Sequence, residues 1–338
     1  MSESKFYDYQ PILSRNGTYN FIIGGRGIGK TYGFKYFAIR QYLKKREQFM
    51  YLRRYKLELK SLDGYFDDIV DRFPDWEMRR HGPVAEIRRT GTKQWRTMGF
   101  FKALSISSSE KSVPYPNVHW IHYDEFIVDE TGMHRYLNNE TTVFNDFYQT
   151  IDRWQDRTRV FFTANAVSIM CPYLVEYDLI PQVGKNREWE RRYNGFVVAN
   201  YPNSNEFANA AMKTKFGKFV EGSAYADYAV GNVFADNNDA LIIKPPKNKH
   251  FLIRIKGRHF PFNVWYLPDY SNNGRAFYID LKNNGAKTYV IDFEDMGEGK
   301  EMIEKSSPVI RWLKNSYMKG SVYFSEPKAR NAFSEVFR

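Results

Sequence analysis

Between Gly24 and Thr31 the chain reads GGRGIGKT, with glycines at 24 and 29 followed directly by a lysine and a hydroxyl residue. That spacing satisfies G-x-x-x-x-G-K-[ST], the pattern of a loop that wraps the phosphates of a nucleotide. Glycines let the backbone approach phosphate closely and aim its N–H groups inward, and the first turn of a following helix adds partial positive charge. Gly24, Gly25, Arg26, Gly27, Ile28, Gly29, Lys30 and Thr31 are therefore expected to bind ATP, with Lys30 on the β/γ-phosphates and Thr31 as a ligand to Mg²⁺. The bland alternative is a glycine turn that only caps a helix. Arg26 is expected to face phosphate or an inserted substrate group, although the loop chemistry is complete without it.

Holding Mg²⁺ and polarising water require carboxylates, and VHWIHYDEF (118–126) supplies them as an apolar strand that ends in Asp124 and Glu125. Asp124 is expected in the metal shell and Glu125 beside the attacking water, which it orients or deprotonates. Asp129 and Glu130 read as a solvated loop. Positive charge beyond Lys30 is also needed on the transferring phosphoryl group. Arg153, Arg157 and Arg159 are the candidates, just before the strand RVFFTA, and in ring-shaped NTPases such a group often comes from a neighbouring subunit. Asn165 closes that strand as a γ-phosphate sensor or a buried turn amide. His119 and His122 read as packing residues, and the six histidines form no H-x-x-x-H pair.

These residues have to be positioned by strands and helices. YNFII (19–23) reads as a buried strand before the loop, and Phe34, Phe37, Ala38 and Tyr42 mark a helix over 30–43. A strand at 49–54, a helix over about 57–73, a hairpin region within 77–105, strands at 118–123 and 159–164, and a helix over about 136–155 complete an alternating pattern. It suggests a parallel sheet covered by helices. The texture changes near residue 200. From Ala240 the segments ALIIK, HFLIRIKG, FNVWYL, RAFYIDL and KTYVIDF read as strands, followed by helices near 302–317 and after Pro327.

Fifty Lys and Arg against 39 Asp and Glu leave a formal charge of +11, which favours a polyanionic partner. The 25 Tyr, 27 Phe and 7 Trp are scattered, as in aromatic cores rather than base-stacking arrays. One cysteine, Cys171, allows no intrachain disulfide, and no stretch reaches the length of a membrane span. The expected location is the cytoplasm.

In order along the chain, IIGGRGIGKTY, EQFMYLRRYKLEL, SEKSVPYPNVHWIHYDEFI, TRVFFTANAV and KTKFGKFVEG resemble the DNA-packaging ATPases of phi29-like small tailed phages, distant relatives of large terminase subunits. The similarity covers most of the first 200 residues. It implies an α/β chain with a RecA-like (ASCE P-loop NTPase) ATPase domain over 1–200, a linker over 201–239, and an α+β, RNase H-like C-terminal domain over 240–338. It further implies a homopentameric ring at the portal vertex, in the host cytoplasm, driving double-stranded DNA into a preformed procapsid. The portal and a packaging RNA are the implied partners. Arg153 matches the family's trans-acting arginine and Lys111 a DNA contact in the pore. Arg53, Arg54 and Lys56 match a segment acting at the neighbouring nucleotide or in coupling.

Terminases cut DNA with clustered acidic metal ligands. Here HFLIRIKGRHFPFNVWYL contains no carboxylate, and Asp280 and Asp292 lack a third partner, so no nuclease is expected. The basic residues Lys244, Lys247, Lys249, Arg254, Lys256 and Arg258 suit docking to the portal or to RNA. Two rivals share the loop: a small-molecule or nucleoside kinase, and a non-enzymatic adaptor with a degenerate nucleotide site.

Overall fold

The YNFII run forms β1 (Tyr19–Ile23), buried at every position, as a strand covered on both faces must be. The glycine loop follows, and α1 (Lys30–Lys45) buries Phe34, Phe37, Ala38 and Tyr42 along one side. In this computed structural model the described residues are 6–110, 113–128, 135–165, 171–179, 188–202, 212–220, 241–257, 260–270 and 275–336. They fall in two compact units, drawn from Met1–Pro172 with Arg187–Ala235 and from Tyr173–Asn186 with Asp236–Arg338. Most of the expected linker, 203–211 and 221–239, lies outside the described residues.

The first unit is built on β1, β2 (Gln48–Arg53), β3 (Trp76–His81), β4 (Val84–Arg89), β5 (Arg96–Ala103), β6 (Val118–Asp124), β7 (Arg159–Ala164), β8 (Trp189–Arg192) and β9 (Val197–Asn200). Among the described residues these nine strands make one sheet in the order β3-β4-β5-β2-β6-β7-β1-β9-β8. The run from β5 to β9 is parallel, with β7 between the loop strand β1 and the carboxylate strand β6. The parallel α/β architecture expected from the sequence is present. The aromatic residues fill its core: Phe21 and Phe162 stack at 4.2 Å and 4°, and Phe34, Phe49, Phe101, Phe126, Phe144 and Phe161 are fully buried.

Two expectations need correction. The helix over 57–73 is instead two short 3-10 turns, Lys56–Leu59 and Val70–Arg72. Ser61, Asp63 and Gly64 interrupt what apolar spacing alone suggested, since these residues favour turns over helix interiors. The hairpin expected within 77–105 is present as β3 and β4. Strands β3 and β4 extend the main sheet antiparallel, while β5 pairs parallel with β2. The helix expected over 136–155 is shorter, α2 (Glu140–Asp152), flanked by left-handed residues Asn139 and Arg153.

The second unit carries β10 (His250–Lys256), β11 (Pro261–Tyr266), β12 (Phe277–Asp280), β13 (Thr288–Val290), β14 (Lys300–Met302) and β15 (Val322–Phe324), in the order β14-β13-β10-β11-β12-β15. An antiparallel meander, β10 to β12, is flanked by β13 and β14 running parallel to β10 and by β15 parallel to β12. This is the mixed sheet expected of an RNase H-like domain. Among its described residues ALIIK contributes a bridge from Ile242 to Phe324 and no longer strand. The first helix starts later than expected: α3 (Pro308–Met318) opens on Pro308 behind an N-cap at Ser307, and α4 (Pro327–Glu335) follows. Leu313 and Phe333 from these helices pack with Ile255, Val264, Ile279 and Phe324.

Candidate active site

The glycine loop leaves the carboxyl end of β1, and two of its glycines, Gly27 (φ 86°) and Gly29 (φ 74°), occupy the left-handed region that side chains disfavour. An added Cβ at Gly29 would also stand 2.6 Å from the Phe6 ring. The chain before β1 is laced over the loop: Tyr7 N donates to Ile28 O at 2.8 Å and the Tyr9 hydroxyl to Lys30 O at 2.9 Å. Arg26 is exposed and makes no hydrogen bond or ion pair among the described residues.

Lys30 is only 8% exposed. Its Nζ donates to Gly24 O (3.0 Å), Gly25 O (2.8 Å) and Asn165 Oδ1 (3.1 Å), three neutral acceptors. Burial pushes the amine down to about 8, against the upward pull of Asp124 and Glu125. A desolvated cation with neutral partners gains most from an anion. Phosphate at this position would restore the amine's affinity for its proton, so binding near pH 8.5 should be accompanied by proton uptake, and binding near pH 7 should not. Calorimetry with a non-hydrolysable ATP analogue, in buffers of different ionisation heat, reads this directly. Equal heats in all buffers at about pH 8.5 would remove Lys30 from the phosphates.

Asp124 ends β6 and is 8% exposed. Its Oδ2 accepts from Thr31 Oγ1 (3.1 Å) and the Tyr51 hydroxyl (2.8 Å), and its Oδ1 from Thr163 Oγ1 (2.7 Å). Burial pushes this carboxyl up, but His122, Arg53 and the hydroxyl donors outweigh it and hold the group below its usual value. His122 Nε2 lies 2.7 Å from Thr163 Oγ1, and burial takes its pKa down to about 4. Thr163 gives its single proton to Asp124, so the neutral imidazole must donate from Nε2. His122 therefore does more than fill space, the role expected from its strand position. Thr31 and Asp124 bring a hydroxyl and a carboxylate oxygen together, hard donors of the kind Mg²⁺ takes, so these residues fit the ion.

Glu125 turns out of the strand with φ 56°, a left-handed conformation uncommon for a residue with a side chain. Its carboxylate is exposed at the rim and paired with Arg53, which also meets Glu58 at 3.1 Å. Along β2, residues two apart share a face. Tyr51 thus reaches Asp124 and Arg53 reaches Glu125.

Arg54 points the other way into the interior. It is 2% exposed, forms a two-point ion pair with Glu140 at 2.8 and 2.9 Å, and donates to Glu125 O (3.4 Å) and Phe126 O (2.6 Å). Tyr123 donates to the same Glu140 carboxylate at 2.8 Å. Losing one partner of such a buried pair costs about 3–5 kcal/mol, because the other charge is left uncompensated. The pair ties the Glu125 turn to the first residue of α2.

The three arginines at or before the start of β7 differ in what their side chains touch. Arg157 donates to Val118 O (2.5 Å), Tyr115 O (3.1 Å) and Ile151 O (2.6 Å), and so braces its own chain. Arg159 bonds Asn16. Arg153 is exposed, without an ion pair or side-chain hydrogen bond among the described residues. It follows the carboxyl end of α2, whose 13 residues start at Glu140 beside the carboxylate turn. A helix of that length carries the chain about 20 Å from the turn, at 1.5 Å per residue. The return strand β7 pairs Arg159 with Trp120 and Thr163 with Asp124, which puts Arg153 beyond the amino end of the parallel strands. Lys30, Thr31, Asp124, Glu125 and Asn165 thus gather at one end of the sheet and Arg153 stands at the other. Lys111 lies outside the described residues.

The second unit holds its buried carboxylate in a different way. Arg254, Asn263 and Asp280 sit in one row across β10, β11 and β12. Asn263 Nδ2 donates to Asp280 Oδ1 at 2.7 Å, and Arg254 donates to Asn263 Oδ1 at 2.7 Å. Lys249 approaches Asp280 at 3.5 Å. Asp292 follows β13, three strand spacings from β12, or about 14 Å, far more than two shared metals allow.

The sequence profile of the podovirus DNA encapsidation protein (Gp16) family matches residues 1–338. The DNA packaging protein of Bacillus phage phi29 is 33% identical over 344 residues, spanning 100% of this chain and 98% of that protein. In structure, the bacteriophage Phi-29 viral genome packaging motor assembly aligns with a TM-score of 0.76 and 32% identity over 99% of each chain. The N-terminal domain of the DNA packaging ATPase from bacteriophage phi29 aligns at 0.53 with 36% identity, covering 60% of this chain and 98% of that one. A full-length profile match, together with a relative 33% identical over the whole chain, places the chain in the podovirus DNA encapsidation protein (Gp16) family, as a DNA-packaging ATPase.

Proposed function

We propose that the chain hydrolyses MgATP at sites shared between adjacent copies in a ring, and that turnover drives double-stranded DNA into a preformed procapsid. The observation that supports this reading best is the separation of Arg153 from the nucleotide end of its own sheet. With its side chain unpaired among the described residues and about 20 Å of helix intervening, it is available to a neighbour and not to its own ATP.

In this reading Lys30 and the loop amides hold the β/γ-phosphates. Mg²⁺, taken by Thr31 and Asp124, would neutralise charge on the phosphate oxygens. Tyr51 and Thr163 keep Asp124 ionised and oriented. Glu125 leaves Arg53 to take the proton of the attacking water, and Asn165 follows the γ-phosphate. Arg153 of the adjacent copy stabilises the charge that develops on the transferring group. We read the ring as a pentamer at the portal vertex, in the host cytoplasm. Lys111 is assigned to DNA in the pore, and Arg53 and Lys56 to coupling. The division into residues 1–200, 201–239 and 240–338 stands as part of the same reading, with the last segment docking to the portal or a packaging RNA.

The test is ATP turnover by the full chain with and without double-stranded DNA, alongside negative-stain imaging. Stimulation of about tenfold or more by DNA, with rings in view, is the expected result. Phosphate transferred to a small acceptor would instead indicate a kinase, and absence of turnover an adaptor.

A further inference from the structure

We infer that Trp154 and the loop that carries it form the docking knuckle by which one copy of this chain seats on the next, fixing Arg153 in the neighbour's site. The inference rests on the trans role proposed for Arg153 and adds to it the surface that brings the two copies together.

Trp154 follows Arg153 directly and is 83% exposed. A large aromatic side chain left in water is usual for an interface anchor and costly for an idle surface, since Trp is among the residues enriched at binding hot spots. Exposure alone would carry little, but the backbone beneath it is unusual. Arg153 (φ 53°), Trp154 (φ 59°) and Asp156 (φ 53°) are all left-handed, three side-chain-bearing residues within four positions. Such a segment persists only where its surroundings over-determine it.

The surroundings do so from below. Asp152, 1% exposed, offers both carboxylate oxygens to the loop. Oδ2 accepts from the backbone N–H groups of Gln155 (2.9 Å) and Asp156 (3.0 Å), and Oδ1 from those of Arg157 (3.0 Å) and Thr158 (2.9 Å). Arg157 then fastens the loop to the carbonyls of Tyr115, Val118 and Ile151. The backbone amides of 155–158 and the Arg157 guanidinium are all tied inward, while Arg153 and Trp154 are turned outward. A loop fixed in advance loses little freedom when it binds, which favours association.

The occupant is a second copy. Arg153 meets no anion among the described residues of its own chain and lies at the opposite end of the sheet from its own loop, so the phosphate it serves belongs to another copy. Trp154, one residue away, must then rest on the rim of that copy's nucleotide site. The surfaces that meet are different on the two partners, knuckle on one and rim on the other. Contacts of that type run head to tail and give a ring where the rotation closes, not a two-fold dimer.

The experiment uses full-length chain and measures ATP turnover against protein concentration, with sedimentation velocity in a non-hydrolysable ATP analogue. For Trp154→Ala the expected result is weaker self-association. Half-maximal turnover moves to at least about tenfold higher concentration, and turnover per chain recovers once assembly is restored. Trp154→Phe should fall between. Arg153→Ala should assemble as the parent does and remain inactive at every concentration. A Trp154→Ala chain that assembles and turns over at the parent's concentrations overturns the docking role, as does a parent chain that stays monomeric. Turnover retained by Arg153→Ala overturns the finger assignment alone, because sedimentation still reports on Trp154.

Discussion

Glu125→Gln is expected to bind ATP as tightly as the parent chain and to lose turnover by about 10²–10⁴-fold, the usual contribution of a positioned general base. The two effects separate because Glu125 contributes no bond to the loop or to Lys30, whose partners are Gly24, Gly25 and Asn165. Its side chain is 57% exposed, so the isosteric amide leaves no cavity and no buried charge. Glutamine still offers Arg53 an oxygen and can hold the rim in place, but it cannot accept a proton. Affinity for a fluorescent ATP analogue and single-turnover phosphate release measure the two quantities independently. Turnover above about a tenth of the parent value would exclude Glu125 as the base, and the next carboxylate to consider would be Asp124 itself.

Arg153→Ala is expected to reduce turnover of assembled chains by about 10³–10⁵-fold, the range over which an arginine supplied to a phosphoryl-transfer site acts. Nucleotide affinity of the separate chain should stay within about twofold. The geometry that separates these outcomes is the length of α2, which keeps the guanidinium away from its own phosphates. Arg157→Ala provides the contrast. That side chain holds three backbone carbonyls, so its loss should reduce stability as well as activity, with a lower Tm visible before any nucleotide is added. If Arg153→Ala weakens ATP binding by the separate chain, the residue acts in cis or in folding, and the shared-site reading fails.

Much of this site was legible because its signals are local. Loop spacing, the strand before it and the helix after it lie within thirty residues, and Asp124–Glu125 end a strand that apolar pattern alone identifies. The residues that escaped notice act through tertiary register. Tyr51 and Thr163 reach Asp124 only because β2 and β7 flank β6 in the sheet, and a strand reads the same wherever its neighbours lie. Glu140 shows its role only where Arg54, 86 positions away, meets it in the interior. That Arg157 spends its guanidinium on carbonyls at residues 115, 118 and 151 is likewise something spacing cannot reveal. Strands β14 and β15 are three residues each, too short to show a period. The supposed helix at 57–73 failed for the opposite reason, as periodicity was present but turn-forming residues prevailed.

The buried His122 makes the ATPase unit sensitive to acid. An unfolded imidazole takes up a proton near pH 6.5, whereas burial lowers this one to about 4. Between those values the unfolded chain binds a proton that the folded chain refuses, so folding stability falls as the pH falls. The loss is about 1.4 kcal/mol per pH unit, roughly 3 kcal/mol across the window. Above pH 6.5 the imidazole is neutral in both states and contributes no slope. Asp124, held below its usual value, adds its own loss only at still lower pH. Mild acid therefore weakens the structure around Asp124 before that carboxylate itself is protonated, and it does so through the imidazole two residues away.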